Sequence, residues 1–517
     1  MTACPISQSA AGLYRPHAVL WIIGLLTALR LIALYFSPLE LGGDEAQYWA
    51  WSQHPAFGYY SKPPLIAWAI ALTTALFGDA QWAVRLMAPL AHGATALLIL
   101  LAGKTIGQAS RAQSGASLAA LIYILMPGVW FSSGIMTTDT LLLTAYSGAL
   151  AAYFSLLNTP SLRAAIGLGL AVGLGFLAKY AMVYFCLGIL VLLITDKGAR
   201  RALLNRYGGL AAALATLILL PNLIWNHAHH FATFTHTAQN AGWKGVQMDW
   251  PGLLGFWGSQ LGVFGPLALP LFFIALYWAL RNPKAPAVAR HLGVFALTPL
   301  VIISLEAIIN RANANWAFSA YVPAALLLGL WIATYGRYRL AILAIALNVL
   351  IGSVLVAVVF SPSLAARLGV AGAFKRVQGW QETAQIVARL DTRAKMGPET
   401  VLVMDNRLFY YAVRYYGRQM DLPDMYIWPR FGRPHSHAEL VHPLPPGLRA
   451  PMIIINRQEA QAQRLAADFE NYTPLERFTV PLGGNKKRYF QVFTANRYTP
   501  LPRDENYELQ WDDKAKP

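Results

Sequence analysis

Residues 41–68 read LGGDEAQYWAWSQHPAFGYYSKPPLIAW. The stretch follows a first apolar run, from about Ala18 to Phe36, which is long enough to cross a bilayer; about 20 helical residues suffice. It cannot continue that span. It opens on adjacent carboxylates, Asp44 and Glu45, and carries Tyr48, Trp49, Trp51, Tyr59, Tyr60 and Trp68. Ionisable groups where a chain leaves lipid are costly and are read first as functional. The competing reading is an aromatic belt with an acidic helix cap, and the residues alone leave both open. Lys62-Pro63-Pro64 then opens an apolar segment, 65–77, that is too short to span. Proline suits a helix start because its missing N–H would be unpaired there. The segment is expected to be a helix lying along the membrane surface. Lys62 could pair a lipid phosphate or simply snorkel, and Arg85, at the start of the next span, has the same two readings.

The rest of the chain supports this setting. Of 517 residues, 56% are hydrophobic and 13% charged, against about 25% charged in soluble proteins. About eleven spans are expected, near 18–36, 82–103, 116–134, 138–157, 164–178, 180–195, 208–225, 251–280, 291–309, 316–335 and 338–360. The net charge of +17 is read as Lys and Arg collected in cytoplasmic loops and not as a nucleic-acid surface. Arg163, Arg200, Arg201, Arg281 and Arg337 mark the cytoplasmic loops. The loops holding Asp44, Asp139, 226–250 and 310–315 then face the periplasm, and the N-terminus is cytoplasmic. From 361 to 517 the chain is polar and Pro- and Arg-rich. Strands at 399–405, 450–457 and 488–498 are expected there, with helices at 406–417 and 459–469. The fold class expected is a polytopic α-helical membrane domain, 1–360, with outer-face interfacial helices at about 40–78, followed by a small periplasmic α/β domain, 361–517. Cys4 and Cys186 are not expected to form a disulfide. GLGLAVGLGF (167–176) lies inside an apolar run with no preceding strand, so Gly169 and Gly173 are read as helix-packing residues and not as a nucleotide fingerprint.

Several further residues could carry chemistry. Asp139, in GIMTTDTLLL, sits at the mouth of a span; it could act chemically, or merely complement a helix dipole beside a capping Thr137 or Thr138. Lys179 lies between two apolar runs and is harder to assign to a surface. His227 and His230 are three residues apart and could share a helix face, but no carboxylate pairs with them, so the metal signal is weak. The cofactor expectation is none, with a divalent metal ion near Asp44, Asp139 or His227 as the alternative. Together these groups fit sugar transfer from a polyprenyl phosphate. A carboxylate takes the acceptor hydroxyl proton, and cations hold the phosphate as it leaves.

The ordered set GDEAQYWAWSQHPAFGYYSKPPLIAW (43–68), MTTDTLLLTAYSGALAAYF (136–154), GLGFLAKYAMVYF (173–185), PNLIWNHAHHFATF (221–234), GSQLGVFGPL (258–267) and NANWAFSAYVPAA (313–325) resembles the GT-C membrane glycosyltransferases of the protein O-mannosyltransferase-like and lipid A aminoarabinose transferase-like superfamily. KRVQGWQETAQIVA (375–388) and DNRLFYYAVRYYG (405–417) resemble the start of that family's outer domain. The resemblance implies an inverting transfer from a polyprenyl-phosphate sugar donor to a lipid or glycolipid acceptor, lipid A or lipopolysaccharide among them, in a bacterial inner membrane. It implies catalytic roles for Asp44, Glu45 and Asp139, with Asp44 as base. It implies a carrier-phosphate contact for Lys62, beside which Arg85, Lys179 and Tyr59 are candidate donor or phosphate contacts. Lys179, Asn226, His227, Gln260, Asn315 and Trp316 match family positions without an assigned role, the last five being candidate substrate-binding residues. Lys-Pro-Pro at 62–64 matches the aminoarabinose transferase branch, which draws the chain towards lipid-modifying enzymes. Two alternatives stand beside this. A protein O-mannosyltransferase-like enzyme is weakened by the lack of the insertion that eukaryotic members carry between spans. A lipid-linked sugar transporter or flippase would be expected to show repeated halves and broken helices near the bilayer midplane.

Overall fold

The computed structural model describes residues 16–106, 110–241, 248–310, 312–394, 396–483, 486–504 and 507. Cys4 lies outside them, and Cys186 is a free thiol. The chain forms two compact units: Met1–Ser37 with Lys62–Ala357, and Pro38–Ser61 with Val358–Pro517. The fold class is the one expected, helical in the first unit with a small α/β sheet in the second. The sequence reading drew a single boundary near 360. In the structure the first loop is grouped instead with the C-terminal residues, a long-range association that local periodicity does not encode.

In the first unit, seven described helices are long and apolar enough to span: Pro16–Tyr35, Gln81–Ile106, Thr138–Asn158, Arg206–Ala228, Ala287–Ile309, Ala314–Tyr335 and Tyr338–Phe360. Two bent pairs bring this to nine if each pair is one span: Tyr180–Thr195 with Lys197–Leu203 (118°), and Trp250–Phe264 with Ala268–Arg281 (99°). The other two expected spans are occupied by shorter apolar helices, Gln113–Ile124 and Leu162–Ala178. The expected span at 116–134 is broken: one helix ends at Ile124 and the next, Pro127–Ser132, starts with proline at its first position. Pro127 has no N–H to continue the earlier ladder, and its fixed φ suits a new start. Leu65–Phe77 is a separate helix with the expected bounds, closed by Gly78 at φ +73°. Leu25, Leu29 and Ile32 of the first span, and Leu217 and Ile224 of Arg206–Ala228, are exposed. Such apolar surface suits contact with lipid chains.

Helix Leu162–Ala178 packs through its glycines. A Cβ on Gly169 would lie 2.8 Å from the Ala211 carbonyl oxygen, and one on Gly173 would lie 2.8 Å from Ile218 Cβ. These residues bring two backbones together, as small residues do between membrane helices.

The second unit is built on six strands: β1 (Val401–Met404), β2 (Met425–Ile427), β3 (Arg449–Asn456), β4 (Phe469–Glu470), β5 (Thr473–Pro481) and β6 (Lys487–Tyr498). Their order is β2-β1-β3-β6-β4, with β5 also paired to β6. β1 runs parallel to β2 and β3, with Val403 opposite Ile454; β3 and β6 are antiparallel, with Ile454 opposite Phe493. β1 is buried throughout, which explains its unbroken apolar run VLVM. The strands at 399–405, 450–457 and 488–498 and the helix at 406–417 were legible. β2 is too short for a periodic signal, and β5 (TPLERFTVP) is largely exposed and polar. The expected helix at 459–469 is two short turns, Glu459–Gln461 and Ala462–Ala466.

Candidate active site

In the second unit the acidic pair stands on helix Gly43–Ser52, where every residue except Asp44 is buried. Two tryptophans and a tyrosine drive that burial. Trp51 stacks on Tyr59, with centroids 4.6 Å apart and planes at 3°, and Trp49 meets Tyr415 edge-on. Gly43 permits close docking of the helix start: a Cβ there would lie 2.7 Å from Leu408 Cβ. The Leu41 N–H donates to the Tyr416 hydroxyl at 2.5 Å. Aromatic residues that could have formed a lipid-facing belt are therefore the core that fixes this loop.

The two carboxylates separate in role. Glu45 is 6% exposed, and its Oε2 accepts the Gly42 N–H at 2.9 Å, the reciprocal half of a capping box. Asp44 projects outward with its side chain 63% exposed. Its Oδ1 accepts from Arg407 Nη1 at 3.2 Å. The same nitrogen donates to Gln47 Oε1 at 2.5 Å. Oδ2 of Asp44 takes no hydrogen bond from the described residues. Tyr59 serves the loop: its hydroxyl donates to the Trp51 carbonyl and accepts the Ala56 N–H, both at 3.0 Å. Burial pushes that phenol up to about 12.

The first unit holds a second acidic centre. Asp139 lies in the first turn of helix Thr138–Asn158 and is 5% exposed. Lys179 Nζ donates to its Oδ1 at 2.7 Å, and Asn315 Nδ2 to its Oδ2 at 2.8 Å. Lys179 reaches it because helix Leu162–Ala178 ends there, with Lys179 extended at φ −162°. Asn315 sits on the 3-10 segment Ala314–Ala320. Gln260 buttresses that segment: its Nε2 donates to the Ala314 carbonyl at 3.2 Å, and its Oε1 accepts from Tyr321 at 2.7 Å. Thr137 precedes the helix but makes no side-chain cap, so a capping role does not explain the T-T-D cluster.

Asn226 is buried, and its Nδ2 donates to the Tyr180 hydroxyl at 3.1 Å and the Asn222 carbonyl at 3.0 Å. His227 is exposed, edge-on to Phe231. After it, His230 and Phe231 adopt φ of 53° and 55°, which is strained for side chains of this size. Trp316 is half-buried against the core of the first unit. Arg85 is 1% exposed, and Lys62 lies partly exposed just before helix Leu65–Phe77. Sequence reasoning missed Arg407, Gln47, Tyr180 and Asn222. Gln47 could have been found, because it sits three residues from Asp44 on one helix face. Arg407 had no local signal; 363 positions separate it from Asp44.

Both Asp139 oxygens face N–H donors, one of them cationic, and Asp44 faces a guanidinium. Among the described residues no group of three or more His, Cys, Asp or Glu could hold a metal.

Comparison with known proteins agrees with this architecture. The family model described as dolichyl-phosphate-mannose-protein mannosyltransferase matches residues 61–225. A lipid A galacturonosyltransferase of Rhizobium johnstonii is 35% identical over 433 residues, covering 81% of this chain and 89% of that protein. An undecaprenyl phosphate-alpha-4-amino-4-deoxy-L-arabinose arabinosyl transferase of Pseudomonas fluorescens is 27% identical, over 60% of this chain and 59% of that one. The crystal structure of ArnT from Cupriavidus metallidurans bound to undecaprenyl phosphate shares the fold, with a TM-score of 0.63 and 17% identity over 92% of this chain and 98% of that chain. The chain therefore belongs to the GT-C membrane glycosyltransferases of the protein O-mannosyltransferase-like and lipid A aminoarabinose transferase-like superfamily, and is a multi-pass membrane glycosyltransferase.

Proposed function

We propose that the protein transfers a hexuronic acid, galacturonic acid first among candidates, from a polyprenyl-phosphate donor to lipid A or a related envelope glycolipid. The sugar and acceptor rest on the likeness to the lipid A galacturonosyltransferase. The single structural observation behind the mechanism is Asp44, the one exposed residue of an otherwise buried helix, with one carboxylate oxygen held and the other open. Asp44 removes the proton from the acceptor hydroxyl. The acceptor oxygen bonds to the anomeric carbon on the face opposite the phosphate. The anomeric C–O bond breaks, the polyprenyl phosphate leaves with the electron pair, and the configuration inverts. Positive charge is needed for the departing phosphate; Lys62 is the candidate cation, while Arg85 is enclosed within the first unit. Lys179 is already balanced by Asp139, so it fixes Asp139, which in turn holds the Asn315 amide in place for substrate contacts. Glu45 caps the helix that carries the base. The distribution of basic residues between loops supports a cytoplasmic N-terminus and a periplasmic C-terminal domain in a bacterial inner membrane.

Mass spectrometry of envelope lipids from cells with and without the gene tests this reading. The expected result is a lipid A species lacking one hexuronic acid residue in the deletion strain. An unchanged lipid profile with an altered exported glycoprotein would overturn the lipid acceptor in favour of a protein one.

A further inference from the structure

The Asp44–Arg407 contact has an ordinary explanation as a surface ion pair. Exposed pairs contribute only about 0.2–1 kcal/mol, and this one has side-chain exposures of 37% and 63%. Three features do not fit an incidental contact. Arg407 occupies the first position of helix Arg407–Tyr416, where a cation opposes the helix dipole at a cost of about 0.3–1 kcal/mol. The guanidinium nitrogen that meets Asp44 also donates to Gln47 Oε1 at 2.5 Å, and Gln47 is 2% exposed. The backbone that carries it is braced: Asn406 caps the helix at the Leu408 and Phe409 N–H groups, and Asp405 Oδ2 accepts the Arg457 and Gln458 N–H groups at 3.1 and 3.2 Å. A residue placed against its helix dipole and braced in this way is set for a purpose other than local stability.

We propose that Arg407 is the positioning residue for the catalytic carboxylate, so that the C-terminal domain completes the base. Its Nη1 holds Asp44 Oδ1 and leaves Oδ2 to take the acceptor proton. Gln47 sets the guanidinium, and Gly43 against Leu408 sets the spacing between the two helix starts. The proposal rests on the reading of Asp44 as base.

The test uses purified full-length enzyme in nanodiscs, with polyprenyl-phosphate galacturonate and lipid A as probes. Arg407→Ala is expected to lower kcat about 10–100-fold, within the range a misplaced catalytic group costs, with the donor KM and the melting temperature unchanged. Arg407→Lys is expected to recover part of the rate, and a low, non-denaturing concentration of guanidinium is expected to rescue Arg407→Ala but not Asp44→Asn. Gln47→Leu, which keeps Arg407 but frees it, is expected to lower kcat in the same sense and by less. A wild-type kcat for Arg407→Ala, or a loss confined to KM, overturns the proposal while leaving Asp44 as base. A wild-type kcat for Asp44→Asn overturns both. Should Arg407→Ala not fold, a wild-type kcat for Gln47→Leu overturns the proposal.

Discussion

Two aspartates at the starts of two helices, Asp44 in the second unit and Asp139 in the first, have opposite surroundings. Asp44 is exposed, shares one oxygen with Arg407 and keeps the other open. Asp139 is buried, and both its oxygens are occupied by Lys179 and Asn315. A carboxylate with a free oxygen in water can accept a proton; one with both oxygens bonded inside a protein is held as part of the scaffold. The residue type is the same, and the environment assigns the work. Both carry a catalytic reading in the sequence alone, because each appears as an acid next to an apolar run.

This contrast predicts different costs of perturbation. The largest effect on stability belongs to the buried pair. Lys179→Ala leaves the Asp139 carboxylate buried without its cation, which is expected to cost about 3–5 kcal/mol and to lower the melting temperature of the purified enzyme sharply. Combining it with Asp139→Leu is expected to restore much of that stability, because no uncompensated charge remains. If the double variant melts as low as Lys179→Ala, the two residues do not act as a pair.

Gly43→Ala probes the other centre. Its new methyl meets Leu408, and the shift needed to relieve it displaces Asp44 from Arg407. Activity is expected to fall about tenfold, since small misplacements of catalytic groups carry such penalties, with a modest loss of stability. Unchanged turnover would show that the spacing of the two helix starts does not matter.

The smallest effect is a pH-dependent one beneath Arg407. Burial raises the Asp405 carboxyl to about 6, against the opposing pull of the Arg457 and Gln458 N–H groups. A carboxyl raised on folding favours the folded state at low pH, and that contribution is lost as pH rises through about 6. Asp405→Asn keeps an acceptor for both N–H groups and removes the charge. It is expected to raise the melting temperature more at about pH 7.5 than at about pH 5. An equal shift at both would remove Asp405 ionisation from the account.

Much of the fold was legible because membrane spans and buried strands leave local signals. The run 338–360 and strand β1 each declare themselves through composition and length. The break before Pro127 was legible only as a proline inside an apolar run, and the run concealed it. The site was legible as far as single residues allow. Asp44, Asp139 and Lys179 stood out as polar groups beside apolar runs, and Asn315 entered only through the family resemblance, but nothing local said that the last three meet. Arg407 was hidden for the same reason, as one arginine among many in a basic domain. The hydroxyl partners that hold Tyr59, the Trp51 carbonyl and the Ala56 N–H, are backbone groups with no sequence signature.

The most direct test of the central claim, that Asp44 is the base, is the initial rate of Asp44→Asn beside Asp139→Asn, each normalised to folded enzyme. Because Asp44 is exposed, Asp44→Asn is expected to melt like the wild type and to lose about 100- to 10,000-fold in rate, the contribution of a positioned general base. Asp139→Asn is expected to lose stability as well as rate. Turnover by the Asp44→Asn enzyme near the wild-type rate would contradict the account.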